Sequence, residues 1–458
     1  MSRAAALIWL LIALLLAGIV WWTSPRASFE SAATPLLTDF SPGNVTSVGL
    51  EWPDGQRATI ERSVVQGRWI LRPSPTLAWP IDSERMQGLL RILAEARRQT
   101  AAEARPMPSA IFLTLQAGSK APLRVAVDPQ ALGGAGRVAV VGADGTASAV
   151  GSVDESFVRA LDRSAIETWR SRDALFWPAE ATAAVSSRSK DAYLQLAKAG
   201  GGWTIQAPLL ARADTGVVQG ALLYLSKASV ERFLPADAVP SADWANPERR
   251  VTLAAAFRAR PDAPSTEVES IWEVGPAVSG QAHAVRMMAR ETQSGEVLWG
   301  PLVGVVDNAV LRAIPQVPES VLSRLVAEFP GADVSAVELT CPTGNFRAAR
   351  EGDGGFGASD GTIRELLKVL TESPAAQTRI VPEEEPPDDA IQCRLMGPRD
   401  QALASVRLRA SVTPSKVTGA PATSAIEVRD GAIVRLIPWS RPGEFLATLK
   451  SLCQARKP

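Results

Sequence analysis

The chain has 458 residues, too many for one compact core, and its length suggests about three domains. Lys plus Arg (48) equals Asp plus Glu (48), so the net charge is zero and gives no electrostatic reason to expect nucleic-acid binding. Gly and Pro, 34 of each, are spread along the chain, as suits many short strands and turns and not a disordered region.

The first element in chain order is an uncharged, almost wholly apolar run from Ala4 to Trp22. As a helix rising about 1.5 Å per residue, it matches the roughly 30 Å hydrocarbon core of a bilayer. Trp21 and Trp22 end it where interfacial aromatics belong, and Arg3 precedes it. The expectation is a single-pass transmembrane anchor with its amino terminus inside. A cleaved signal peptide is the rival, but that apolar region is shorter and is followed by small residues. The expected division is a cytoplasmic stub (1–3), the anchor (4–22), a polar linker (23–36) and an extracytoplasmic remainder. The membrane is therefore the first expected partner.

Three copies of one pattern then follow, at 37–173, 174–327 and 328–458. Phe40, Phe176 and Phe329 each precede a proline (Pro42, Pro178, Pro330) at the opening of a copy. In the first, residues 45–50 and 58–62 alternate apolar and polar around Pro53, Asp54 and Gly55, a hairpin signal. Gly67, Trp69, Leu71 and Pro73 mark a further strand. Asp82 then suits the N-cap of a helix whose Met86, Leu89, Leu90 and Leu93 share one face. Further hairpins and a closing helix through Phe157 and Leu161 end the copy. The second copy repeats this order with Gly202, Trp203, Ile205 and Pro208, then Asp214 before Val218, Leu222 and Leu225. The third loses the Trp, for which Phe356 stands, and starts its helix at Asp360 before Ile363, Leu366, Leu367 and Leu370. The expected fold class is α+β: three tandem repeats of antiparallel hairpins with about two helices each, behind the anchor.

The Gly-x-Trp-x-Leu strand and the capped Leu-rich helix, carried by Gly67, Trp69, Leu71, Pro73, Asp82, Leu89, Leu90 and Leu93, resemble the family called domain of unknown function 4340. Gly202, Trp203, Ile205 and Pro208 echo them, and the third copy departs from the pattern. The resemblance implies membrane-anchored extracytoplasmic proteins, some similar to accessory proteins of gliding-motility-type ABC transporters. It implies no catalytic residue and no cofactor.

Motifs that could carry chemistry have simpler readings. Gly357, Ser359 and Gly361 match the nucleophile-elbow spacing, yet a loop precedes them and the single His283 lies upstream, so a helix start fits better. Ser187 and Lys190 have Ser-x-x-Lys spacing but fall between strands, where turn chemistry is expected. His283 has no second His or nearby Cys for a metal site. Glu383, Glu384, Glu385, Asp388 and Asp389 read as a solvated loop, and Gly133 to Gly136 lead into a strand, not a helix. Trp69 and Trp203 share one place in two copies, which suits core packing. Of the three cysteines, Cys341 and Cys393 can form a disulfide outside the cytoplasm or stay as buried thiols, leaving Cys453 odd. No catalytic, cofactor or metal residue is assigned. The leading expectation is a non-enzymatic binding or scaffold protein with partners in a transporter or envelope complex. The alternatives are a glycan- or lipid-binding module using exposed Trp79, Trp177 or Trp439, and a hydrolase using Ser359.

Overall fold

A computed structural model describes residues 34–454, apart from 39, 66, 75–76, 99–108, 119–120, 129–134, 143–145, 236–237, 240–242, 259–261, 263, 353, 383–388 and 414–422. The first repeat contains β1 (Val45–Glu51), β2 (Arg57–Arg62), β3 (Trp69–Ser74), β4 (Leu77–Ile81), helix α1 (Ser83–Glu95), β5 (Arg97–Arg98), β6 (Ile111–Ala117), β7 (Leu123–Asp128), β8 (Ala135–Val141) and β9 (Ala147–Asp154). Short helices α2 (Glu155–Ala160) and α3 (Arg163–Ile166) close it. The strands form one nine-stranded sheet in the order β4-β3-β2-β1-β6-β7-β8-β9-β5. The chain thus meanders outward from β1 to one edge, crosses on α1, leaves β5 at the far edge, and returns to pair β6 with β1. Its neighbouring strands pair antiparallel, with Leu50 opposite both Ala58 and Leu113.

The second repeat repeats this path. It contains β10 (Thr182–Ser189), β11 (Tyr193–Ala199), β12 (Gly202–Ala207), β13 (Ala211–Ala213), α4 (Thr215–Lys227), β14 (Arg232–Leu234), β15 (Arg249–Arg258), β16 (Ser265–Ser279), β17 (Ala282–Glu291), β18 (Val297–Asp307) and α5 (Asn308–Ala313). The order β13-β12-β11-β10-β15-β16-β17-β18-β14 maps strand for strand onto the first sheet. The third repeat has β19 (Ala336–Cys341), β20 (Gly344–Ala349), α6 (Asp360–Thr371), β21 (Gln377–Ile380), β22 (Ile391–Met396), β23 (Ala402–Thr413), β24 (Thr423–Asp430), β25 (Ile433–Pro438) and α7 (Pro442–Gln454). Its seven-stranded order, β20-β19-β22-β23-β24-β25-β21, is the same plan without the counterparts of β3 and β4.

Each long helix lays one stripe on its sheet. Met86, Leu89, Leu90 and Leu93 of α1 are buried, as are Val218, Leu222 and Leu225 of α4 and Ile363, Leu366, Leu367 and Leu370 of α6. Such a side chain contributes about 1.5–3 kcal/mol when fully buried, so the stripe holds each helix far more firmly than its own propensity. The third core joins α6 and α7 through Leu366, Leu370, Phe445 and Leu449 to Leu339, Cys393 and Leu408 on the strands.

The α+β expectation is corrected by these proportions. Among the described residues strand makes up 48 % and helix 24 %, so the described structure is mostly β, built on three large antiparallel sheets. The excess comes mostly from strands that run beyond their alternating stretches, such as β16 (Ser265–Ser279) and β18 (Val297–Asp307), and partly from six strands without such a stretch, β4, β5, β9, β13, β14 and β21. Most of these six are edge strands of two to five residues, too short to show a period. β9 is a full strand, but its Ala, Gly and Ser give little alternation. The expected anchor from Ala4 to Trp22 lies outside the described residues, and no described helix is long and apolar enough to cross a membrane. The described residues divide into two compact bodies, those up to Ser171 with Leu298–Gly300, and Arg172–Val297 with those from Pro301 onward.

Candidate functional site

The residues singled out for structure sit at helix starts and near the beginnings of strands. Asp82 accepts from the backbone N–H of Glu84 (2.9 Å) and Arg85 (3.4 Å), and Asp214 accepts from that of Val217 (3.1 Å), each satisfying donors its helix leaves open. Asp360 differs, because Ser359 holds the N-cap position without a side-chain cap and Asp360 is the first helical residue. Its carboxylate pairs with Arg364 at 2.7 Å and accepts from Phe356 N–H at 3.0 Å. The Arg364 bond, then the Phe356 bond, hold its carboxyl below the usual carboxylate range. Trp69 and Trp203, on β3 and β12, are each 3 % exposed, and the Arg62 guanidinium lies 5.0 Å from the Trp69 ring.

Of the two readings open for Cys341 and Cys393, the bridge between them is not formed. Cys341 is bonded to Cys453 of α7, and Cys393 is a free, buried thiol. Register explains the choice. Cys393 of β22 is opposite Leu339 of β19, so Cys341 is its diagonal neighbour on the same face. Diagonal Cα atoms lie about 7–8 Å apart, beyond the roughly 4.4–6.8 Å a disulfide spans. The Cys341–Cys453 Cα separation is 6.3 Å. Burial pushes the Cys393 thiol up to about 12.

The catalytic look-alikes are not brought together. Ser359 sits in a single 3-10 turn ahead of α6, whereas His283 lies on β17 of another sheet. His283 Nδ1 is 2.9 Å from Gly275 O and 3.8 Å from the Glu248 carboxylate. Ser187 is not a turn residue as expected; β10 runs through Ser189, and buried Ser187 Oγ accepts from Arg249 Nε at 2.8 Å. Most of the acidic loop (383–388) and Gly133–Gly134 lie outside the described residues. Among those described, no group of three His, Cys, Asp or Glu could hold a metal ion. The tryptophans expected to be exposed are not: Trp79 is 2 % and Trp177 1 % exposed, and Trp439 packs partly buried against the third core. Trp177 donates its indole N–H to Thr182 Oγ1 at 3.0 Å.

Buried charges are what sequence reasoning missed. Arg249, at the start of β15, donates from Nε to Ser187, from Nη1 to Leu311 O (2.8 Å), and from Nη2 to Ile314 O (2.9 Å) and Pro315 O (3.2 Å). It therefore clamps the carboxyl end of α5, where carbonyls lack helical partners. Desolvation lowers its pKa to about 10. Glu273 of β16 is 1 % exposed between Arg250 and Arg286, and Glu427 of β24 is 3 % exposed beside Arg409. Arg435 of β25 donates from Nε to Ser323 O at 3.0 Å, and burial lowers its pKa against the opposing pull of Asp430 and Glu328. A signal existed for Arg249. It shares the strand phase of Val251, Leu253 and Ala255, where a charge must be buried and must find partners.

The recesses are lined by committed groups. A cleft of about 940 Å³ beside α6 is lined by Phe329, Arg350, Phe356, Arg364 and Lys368 among others. Arg350 is already held by the carbonyls of Val334 (2.9 Å), Gly354 (2.6 Å) and Gly331 (2.7 Å), 4.7 Å from the Phe356 ring centre. A second cleft of about 510 Å³ runs past Leu210, Phe329, Ile433 and Arg435. No protein-family model matches the chain, and no curated protein matches it.

Proposed function

We infer that this chain is an extracytoplasmic binding or scaffold protein, accessory to a transporter or envelope complex, and not an enzyme. The observation that carries the reading is the building of one antiparallel sheet plan three times over. Proteins assembled from repeated units offer extended surfaces for recognition, each unit adding area without a convergent reaction centre. The Cys341–Cys453 bridge supports an oxidising compartment, and the apolar run from Ala4 to Trp22 supports a place at the cytoplasmic membrane with the bulk of the chain outside. The resemblance carried by Gly67, Trp69, Leu71 and Asp82 points the same way.

Detergent extraction of native membranes followed by purification of the full chain tests the reading. Stoichiometric envelope or transporter components should travel with it through size exclusion. A monodisperse chain free of partners, with unaltered envelope transport in cells lacking it, would overturn the assignment. Protease added to spheroplasts should digest the repeats, and protection of the bulk of the chain would overturn the location.

A further inference from the structure

The third sheet stops two strands early at one edge. Outward from β1 and β2 the first sheet continues with β3 and β4, and outward from β10 and β11 the second continues with β12 and β13. The third ends at β20, which pairs with no strand but β19 among the described residues. The aromatic that the missing strand would bring comes instead from Phe356, 4 % exposed and packed in the third core. The core is therefore closed, while among the described residues no strand covers the outer backbone edge of β20.

Register states which groups are open. Cys341 is opposite Gly344 across a two-residue connection, Leu339 opposite Phe346 and Val337 opposite Ala348. A two-residue connection makes the closing pair exchange main-chain bonds, and the alternation of an antiparallel ladder then turns the N–H and C=O groups of Asn345, Arg347 and Ala349 away from β19. The side chains of these three are exposed, while Phe346 and Ala348 are buried on the core face. Such an edge is a template for another strand.

The exposed face also states what kind of strand fits. Arg394 of β22 is directly opposite Glu338 of β19, and Glu338 is directly opposite Arg347 of β20. Their ion pairs measure 3.9 and 3.3 Å. Asp400 flanks Arg347 at 2.7 Å. The row runs positive, negative, positive across three strands and ends at the open edge, where a carboxylate continues it. In the first sheet the strand at this position already supplies such a pair, Arg72 of β3 meeting Glu61 of β2 at 3.3 Å. Two copies of this chain joined edge to edge about Arg347 would instead oppose like guanidiniums, which is destabilising.

We propose that β20 is a docking strand for an extended segment of a partner protein, added antiparallel where β3 and β12 lie in the other sheets, with an acidic residue opposite Arg347 and apolar residues flanking it toward the core face. Main-chain bonds give the affinity and the alternate side chains the choice of partner. The inference rests on the binding-protein reading above and names the surface that would serve it.

The test uses the full oxidised chain and two synthetic peptides in which Thr and Val alternate around a central Glu or a central Lys, with Val on either side of the charge. The Glu peptide should bind about fivefold more tightly than the Lys peptide, and hydrogen exchange at the amides of Asn345, Arg347 and Ala349 should slow when it binds. Arg347→Glu, an exposed change, should invert the preference. Ala349→Pro, which removes one outward N–H at an edge that tolerates proline, should weaken both peptides. Equal binding of both peptides, an unchanged preference in Arg347→Glu, or edge amides already protected in the free chain would overturn the inference. In native membranes, partners retained equally by wild type, Arg347→Glu and Ala349→Pro would overturn it while leaving the scaffold reading intact. Partners absent from the wild type would overturn that reading itself.

Discussion

Arg249 anchors α5 with four donated hydrogen bonds and has no carboxylate among their acceptors. Removing it strands three carbonyls and a hydroxyl in a dry site, each worth about 1–3 kcal/mol when unsatisfied. Arg249→Ala should therefore lower stability by roughly 3 kcal/mol or more in urea unfolding, and Arg249→Lys should recover only part, because one ammonium cannot reach along a planar fork. An unchanged unfolding midpoint would show that the clamp is dispensable. Cys393 yields a pH prediction of definite sign. Its thiol is pushed from 9.0 up to about 12 by burial, so between those values the folded chain keeps a proton the unfolded chain has lost. Stability should fall with rising pH across that window, by about 1.4 kcal/mol per unit from this group, and be unaffected by it below. Cys393→Ala should remove that slope when midpoints are compared from pH 8 upward. At this scale the caps Asp82 and Asp214 were legible, because an acid just ahead of an apolar stripe is a local signal. Asp82→Ala should cost about 1 kcal/mol. Arg249 was not recognised, since its partners Leu311, Ile314 and Pro315 lie some sixty residues away.

At the scale of elements, α7 is held both by packing, through Phe445, Leu446 and Leu449, and by a covalent bond. Cys453 near its end is tied to Cys341 at the end of β19, closing a loop with a sequence separation of 112. A cross-link over a loop of that length contributes roughly 3–5 kcal/mol, largely by restricting the unfolded chain. The Cys341→Ser, Cys453→Ser double variant should unfold at correspondingly lower urea, with amide exchange accelerated most along α7 if the helix is held there. A double variant as stable as the parent would place the restraint elsewhere. Close approach reinforces the joint, since a Cβ at Gly344 would come within 2.7 Å of Cys453 O, and its φ of 152° is one that L side chains rarely adopt. The long helices and the central strands were readable from periods of 3.6 and 2. The edges were not. β13 is Ala-Arg-Ala, and β4 carries Pro80, so neither shows the alternation or composition that marks a strand.

For the whole molecule, the pairing of cysteines bears on compartment. If the repeats lie outside the cytoplasm, alkylation of the denatured but unreduced protein from cells should modify Cys393 alone, and Cys341 and Cys453 should react only after reduction. Three reactive thiols in freshly quenched cells would place the chain in a reducing compartment. By itself the sequence determined the recurrence of one pattern, the places of the long helices and central strands, the helix faces and two of the caps, because these follow from neighbours within a few turns or pleats. Only the tertiary structure decided that Cys341 bonds Cys453, that Trp79 and Trp177 are buried, that the described residues are mostly β, and that β20 is the last described strand at its sheet edge. Each of these depends on which distant element lies alongside, as when β1 pairs with β6 across the 59 residues (52–110) between them. Side-chain chemistry along the chain specifies the face a residue needs. The register between strands supplies the partner it finds there.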